Sequence, residues 1–293
     1  MHKIQLLVFM SVSIKRFLFI LLSVFGSLTV SVSGQIVDNK RAEKVDVDSL
    51  RREYDKGPYF GLYKDNYFIF GPSIGPKPTK ENTNVKFQIS IQQKLTRSTL
   101  PWGTYLYLYY TQKVFWNILQ ESLPMTDLNF NPGVGLAKPL FSNGKYLGKL
   151  SLQLEHESNG RDSIQSRSWN RLTLGASILV DEILMIHGKV WVPFIDSGNN
   201  KDLLKYAGIF QFGSQFMTYD RKWKFGLMFV KRQGWNLNFN TVAEVSFRFS
   251  KDADWSLYLQ YYNGYGEGLL DYKQFHSQLR AGIVIRPVLF SDY

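Results

Sequence analysis

Apolar and polar residues alternate with a period of two along most of the chain, and this pattern constrains its fold more than any other feature. At residues 102–112 and 146–158 the even-numbered positions are largely apolar, and the odd positions of the second segment are mostly polar or charged. Residues 255–262 and 278–286 also alternate, with one lapse at Val284. Successive side chains of a strand point to opposite faces, so the pattern predicts strands with one apolar and one polar face.

Turn residues divide the alternating region into about twelve segments of about ten residues each. A soluble sandwich alternates as well, but it turns its apolar face inward. Long connections alternate here with tight ones, which is typical of outer-membrane barrels, and an even strand number returns the C-terminus to the periplasmic side. We therefore predict an all-β fold, an antiparallel transmembrane β-barrel of about 12 strands. The predicted strands are 60–72, 84–96, 100–114, 128–139, 145–157, 168–180, 184–194, 205–218, 222–232, 236–250, 254–265 and 276–288.

The first residues have the composition of a secretory signal. Residues 1–34 contain Lys3, Lys15 and Arg16, no acidic residue, and an apolar run that is shorter than the roughly 20 residues of a spanning helix. We predict a signal peptide at 1–34, a polar periplasmic lead-in at 35–58 that is a solvated tether or a marginal helix, and a barrel domain at 59–293. Met10 is an alternative start.

Composition excludes several functional classes. The chain has no cysteine, which rules out disulfides, thiolate metal sites and a cysteine nucleophile. It carries a net charge of +11, which is compatible with a nucleic-acid surface or an anionic membrane. Many charges nevertheless fall on the inward parity of the predicted barrel, where they would satisfy one another, so no nucleic-acid partner is expected. These inward residues are Lys149, Arg171, Arg248, Arg280 and Arg286, with Glu155 and Glu244.

The sequence disfavours two kinds of site, a histidine-based zinc site and a glycine-rich phosphate loop. The mature chain has three histidines and no His-Glu-x-x-His motif, which argues against a zinc hydrolase. Residues 264–268 have the glycines of a phosphate loop but no helix behind them, and are interpreted as a flexible turn at a strand end.

A serine, a histidine and an asparagine that could form a hydrolytic triad lie close together on the predicted lipid face. His156 and Ser158 are two apart on one strand and share a face, and Asn170 has the same parity on the next strand. Ser158 could attack an ester carbonyl, His156 could take its proton, and Asn170 could fix the imidazole tautomer. The spacing alone leaves a second interpretation open, since strand ends near lipid headgroups tolerate polar side chains.

The segments His-Glu-Ser-Asn-Gly-Arg at 156–161 and Ser-Arg-Ser-Trp-Asn-Arg at 166–171 resemble the signature of outer membrane phospholipase A, the integral outer-membrane phospholipase of Gram-negative bacteria. Further similar stretches lie at 110–113, 121–124 and 131–132, and from 264 to 272. The resemblance implies a twelve-stranded barrel in the outer membrane with its active site toward the cell surface. It also implies hydrolysis of acyl esters of phospholipids and lysophospholipids, of A1 and A2 type, activated when two barrels form a homodimer with Ca²⁺.

The resemblance also assigns residues. It implies that Ser158 is the nucleophile, His156 the base, Asn170 its orienting partner and the Gly160 amide an oxyanion donor. By the same resemblance, calcium is held by the Ser166 side chain, the Arg161 carbonyl and a Ser122 carbonyl from the second copy, with Gln112 at the dimer interface. The family often has an acidic residue where this chain has Ser163, next to Asp162, which leaves a secondary calcium site open.

Three functions are compatible with this sequence. The first is a calcium-dependent dimeric phospholipase, with phospholipids and outer-membrane lipids as partners. The second is a barrel of the same family that acts only as a scaffold or channel, which the intact residue set and the charged interior disfavour. The third is another lipid-modifying barrel, such as a lipopolysaccharide deacylase, which substrate assays would distinguish.

Overall fold

Antiparallel pairing joins the strands of the chain into a closed ring. The computed structural model describes residues 47–98, 100–142, 145–194, 198–250 and 253–286, and the predicted signal peptide lies outside them. The helices are α1 (Val47–Lys56) and α2 (Leu204–Ala207). The strands are β1 (Phe60–Leu62), β2 (Asn66–Pro72), β3 (Thr83–Lys94), β4 (Tyr105–Trp116), β5 (Met125–Ser142), β6 (Lys145–Ser158), β7 (Ser168–Leu179), β8 (Leu184–Phe194), β9 (Phe210–Met217), β10 (Trp223–Lys231), β11 (Phe239–Phe247), β12 (Trp255–Tyr265) and β13 (Phe275–Ile285).

The ring contains twelve strands, β2 to β13, and the predicted fold class is confirmed. Each strand pairs with its neighbours in sequence, and β13 closes the ring on β2. The predicted first strand is interrupted, because β1 and β2 lie one after the other along β3. At the break, side chains take over bonds of the ladder: Asn66 donates to the Ser90 carbonyl at 3.1 Å, and the Ser90 hydroxyl accepts from the Lys64 N–H at 3.1 Å.

The two faces of the sheet follow the predicted parity. On β6, Leu152 and Leu154 are 43% and 52% exposed, whereas Gln153 and Glu155 between and beside them are buried. An apolar belt therefore faces outward, and a polar lumen lies inside. Val284, the lapse in the pattern, is fully buried in the lumen against an apolar cluster with Tyr67, Ile69 and Tyr258.

Buried ion pairs fill the lumen, with partners that differ in part from the prediction. Arg171 pairs with Glu155 at 3.0 Å, and Arg286 lies 3.6 Å from Glu244, as predicted. Arg248 follows the last residue of β11, and its guanidinium donates to the Arg221 carbonyl at 3.1 Å.

The loop 266–274 folds into the barrel and is not the flexible turn that the sequence suggested. Its Glu267 is 3% exposed and accepts hydrogen bonds from Lys86 at 3.0 Å and from Arg280 at 2.7 Å. The Leu269 N–H donates to Asn129 at 3.1 Å, which fixes the loop further against β5. Two buried cations therefore share one carboxylate at this point of the lumen.

Part of the polar lead-in is a helix docked at the short-turn end of the barrel. In α1, Tyr54 packs at 4.9 Å on the ring of Tyr105, and its hydroxyl lies 3.1 Å from that of Tyr107. Lys94 donates to the carbonyl oxygens of Tyr54 and Gly57 at the helix C-terminus, where a cation is favourable. This end of the lead-in is therefore anchored by specific contacts.

None of the described helices has the length and apolar character needed to cross a membrane.

Candidate active site

Strands β6 and β7 bring three predicted site residues together on the outward face. The register places His156 opposite Asn170, and Ser158 opposite Ser168. His156, Ser158 and Asn170 are all half-buried, and they continue the outward row of Leu152 and Leu154. The polar group therefore ends a lipid-facing apolar stripe at the end of the barrel where the long loops lie.

A short hydrogen bond orients the His156 ring. Nδ1 of His156 lies 2.8 Å from Oδ1 of Asn170. A neutral imidazole that donates from Nδ1 keeps Nε2 as its acceptor, so Asn170 selects the tautomer that can take a proton from a hydroxyl. Ser158, two residues along the same strand face, carries such a hydroxyl.

Gly160 follows the strand in a conformation that needs glycine. Its φ is 62°, in the left-handed region, and an added Cβ would lie 2.9 Å from the Phe130 ring. Its N–H forms no hydrogen bond with any other described residue, and the residue is exposed. A backbone donor two residues from Ser158 is thus available to a ligand.

Asn159, which the sequence analysis did not select, organises the loop 159–167. Its side chain is 2% exposed, donates to the Gln165 carbonyl at 2.9 Å and accepts from the Arg167 N–H at 3.0 Å. The backbone N–H of Asn159 also donates to the Arg167 carbonyl at 3.0 Å. Asparagine directly after a strand often bonds local backbone groups, which is the signal that could have identified it.

The predicted calcium ligands lie on two neighbouring loops. Arg161 and Ser166 belong to the loop 159–167, and Ser122 is exposed with a φ of 62° in the loop between β4 and β5. The Arg161 guanidinium bonds the Thr126 carbonyl at 2.6 Å and Gln165 at 2.7 Å. Among the described residues, no three His, Cys, Asp or Glu side chains form a metal cluster. The three predicted ligands offer one hydroxyl and two carbonyl oxygens, which are neutral.

Gln112, the predicted interface residue, lies on the outward face of β4. The register places it between Ile89 of β3 and Phe130 of β5. It accepts a hydrogen bond from the Tyr110 hydroxyl at 3.2 Å. Ile89 is 50% exposed on the same face, so the amide is surrounded by apolar side chains directed to lipid.

Behind the site, the inner face carries an ionic group around Arg171, which parity placed inside the barrel without indicating its partners. Arg171 donates hydrogen bonds there to Glu157 and to Asn131. Asn131 in turn donates to the His156 carbonyl.

Comparisons with known proteins identify a family to which the chain is similar. Residues 63–285 match the model of the phospholipase A1 family. The chain is 28% identical over 257 residues to phospholipase A1 of Salmonella typhimurium, an alignment that covers 83% of this chain and 86% of that protein. Phospholipase A1 of Escherichia coli K12 gives the same identity and coverage.

Solved structures of similar barrels are also known. Outer membrane phospholipase A from Escherichia coli superposes with a TM-score of 0.67 at 26% identity, covering 78% of this chain and 94% of that one. The calcium-bound dimer of the Salmonella typhi outer membrane phospholipase superposes with a TM-score of 0.69 at 25% identity, covering 84% of this chain and all of that one.

Proposed function

The chain belongs to the phospholipase A1 family and is an outer-membrane phospholipase, and from this we propose that Ser158, His156 and Asn170 carry out its ester hydrolysis. One observation supports the proposal above the others. A serine and an asparagine-bound histidine lie on the lipid-facing side of the barrel, where the 2.8 Å bond leaves His156 Nε2 able to accept a proton. Polar side chains on such a face cost free energy, and their presence despite this cost indicates a function.

The first half-reaction forms an acyl-enzyme. Ser158 Oγ attacks the carbonyl carbon of the ester while His156 Nε2 takes the hydroxyl proton. The ester C–O bond then breaks, and the protonated imidazole gives that proton to the departing alkoxide of the lysophospholipid or glycerol compound. In the second half-reaction, water attacks the acyl-enzyme, His156 takes its proton, and Ser158 leaves with that proton restored.

Negative charge on the carbonyl oxygen needs a donor in both half-reactions. The Asn159 N–H is bound to the Arg167 carbonyl, so the Gly160 N–H is the next backbone donor after Ser158, and it is not used by other described residues. The left-handed φ of Gly160 sets the direction of this N–H, and an alanine would meet the Phe130 ring. One oxyanion donor typically contributes 10²- to 10³-fold to the rate.

Ca²⁺ fits the neutral oxygens of the neighbouring loops when two chains share it. The hydroxyl of Ser166 and the carbonyl of Arg161 would hold it from one chain, and the carbonyl of Ser122 from the other. Calcium prefers such hard oxygen ligands, and a bound cation would stabilise negative charge near Gly160. Without a carboxylate in the set, its affinity is expected to be modest. Gln112 would pair across the interface, where an amide facing lipid gains a partner.

The location of the site indicates its substrate class. Leu154 and Leu172, 52% and 38% exposed, form the cross-strand pair next to His156 and Asn170 on the same face, so an acyl chain in the membrane runs toward Ser158. This arrangement suits phospholipids and lysophospholipids of the outer membrane, with A1 and A2 cleavage both accessible. Long loops surround the site, which supports an orientation toward the cell surface.

Release of fatty acid from phospholipid mixed micelles tests this proposal. We expect Ca²⁺-dependent release that a chelator abolishes and that Ser158→Ala lowers by at least about 10³-fold. Ser214→Ala is the matched control, since Ser214 also lies on a lipid-facing strand between Phe212 and Phe216 but far from β6 in the ring. Undiminished release by Ser158→Ala would refute the proposed nucleophile.

A further inference from the structure

Arg171 lies on the lumen side of the barrel wall, behind His156 and Asn170, and connects the two strands that carry them. It follows Asn170 in sequence, so its side chain projects into the lumen while that of Asn170 faces lipid. Its guanidinium donates to Glu155 through Nε at 3.0 Å and Nη2 at 3.1 Å, and to Glu157 through Nη1 at 2.7 Å. Glu155 and Glu157 are the two chain neighbours of His156.

The contacts fix the planar guanidinium in one orientation. Arg171 lies over the Trp169 ring with its central carbon 4.4 Å from the ring centre, and the Trp169 indole N–H donates to Glu157 at 3.2 Å. The side chains of Arg171, Glu155 and Glu157 are 12%, 6% and 17% exposed. The planar guanidinium therefore fixes the relative position of residues 155–157 and 169–171. A lysine has a single ammonium group and cannot reproduce these contacts.

A third strand joins the same group. In the pairing of β5 with β6, Phe130 lies opposite Ser158 and Gly133 lies opposite Glu155. Pro132 therefore lies opposite His156. Proline has no N–H for the sheet ladder. The Asn131 side-chain amide instead donates to the His156 carbonyl at 2.8 Å, and its oxygen lies 3.5 Å from Arg171 Nη2. A lumen-facing side chain thus holds the His156 carbonyl in place.

We propose that Arg171 is a positioning residue for hydrolysis, which acts through Glu155 and Glu157 to hold His156 in register with Asn170. This inference rests on the proposed function, in which the bond between His156 and Asn170 sets the reactive tautomer. The lumen side of the barrel wall therefore contributes to the chemistry on its lipid side, although Arg171 touches no substrate.

Steady-state kinetics of Arg171→Lys on mixed micelles test the inference. Small displacements of catalytic groups cost up to about 10²-fold, so we expect kcat to fall by about 10- to 100-fold while KM changes by less than about twofold. Arg280→Lys is the matched control, because Arg280 is a buried lumen arginine that also holds a carboxylate through two nitrogens but lies on β13. Equal loss of kcat in both variants would assign the effect to general lumen structure and overturn the inference.

A double-substitution cycle separates positioning from other roles. If Arg171 acts through the His156–Asn170 bond, Arg171→Lys lowers kcat by less than about twofold in an Asn170→Ala background. A full additional loss in that background overturns the inference. Glu157→Gln, which preserves shape and an acceptor for Trp169, is run through the same cycle and is expected to show a smaller loss with the same dependence on Asn170. Hydrolysis by Ser158→Ala would instead overturn the proposed function.

Discussion

Removing the Glu267 carboxylate should destabilise the barrel strongly. Glu267 is the shared partner of two buried cations, Lys86 at 3.0 Å and Arg280 at 2.7 and 3.2 Å. Breaking a buried ion pair by removing one partner costs about 3–5 kcal/mol, because a buried charge remains uncompensated. We expect Glu267→Ala to lower the free energy of unfolding by about that amount. Glu267→Gln should lose about 1–3 kcal/mol, because its amide oxygen still accepts a hydrogen bond.

Urea unfolding of the barrel in lipid vesicles, followed by tryptophan fluorescence, measures these losses. Lys86→Met in the Glu267→Ala background should recover part of the stability, since one of the two uncompensated charges is then absent. The control is Glu53→Ala, which breaks an exposed pair with Lys56 on α1 and should leave the midpoint unchanged. A loss below about 1 kcal/mol in Glu267→Ala would refute the reasoning that the lumen site is shielded from water.

Two further substitutions and one change of pH have defined outcomes. Gly160→Ala should lower fatty-acid release by about 10-fold or more, because of its φ of 62° and the 2.9 Å contact to a ring, whereas Gly61→Ala, with no positive φ and no atom within 4 Å, should leave the rate unchanged. Asn159→Ala should lower the affinity for Ca²⁺ in release assays, since it removes the bonds at 2.9 and 3.0 Å that shape the ligand loop. Although burial raises the pKa of Asp55, hydrogen bonds from Ser98 hold it below its ordinary value. Its contribution to α1 docking is therefore expected to be complete above about pH 4 and to be lost as pH falls further, which faster hydrogen exchange of α1 should show.

The barrel was predictable from the sequence because period two is a local property of each strand. The outward and inward rows of β6, β12 and β13 are as predicted, and Val284 breaks the pattern only because an apolar cluster lies in the lumen. The break between β1 and β2 was not predictable, because it depends on Asn66 meeting Ser90 across the sheet. Cross-strand side-chain bonds of this kind can be predicted only when the register of the two strands is known.

The site was predictable as far as strand parity reaches. His156, Ser158 and Asn170 share a face because of their spacing, and the 2.8 Å bond follows once β6 and β7 are in register. Parity also placed Arg171 inside the barrel but could not choose its partners. Glu267 was missed because a glycine-rich loop gives no local sign that its carboxylate will meet Lys86 and Arg280.

Covalent labelling of the purified protein tests the central claim most directly. A long-chain alkyl fluorophosphonate reacts with a serine that an adjacent base activates, and peptide mass spectrometry identifies the modified residue. We expect one label per chain on Ser158, with loss of fatty-acid release in proportion to labelling, and no label in His156→Ala. Full inactivation with the label on another residue, or labelling of Ser158 with hydrolysis intact, would contradict it.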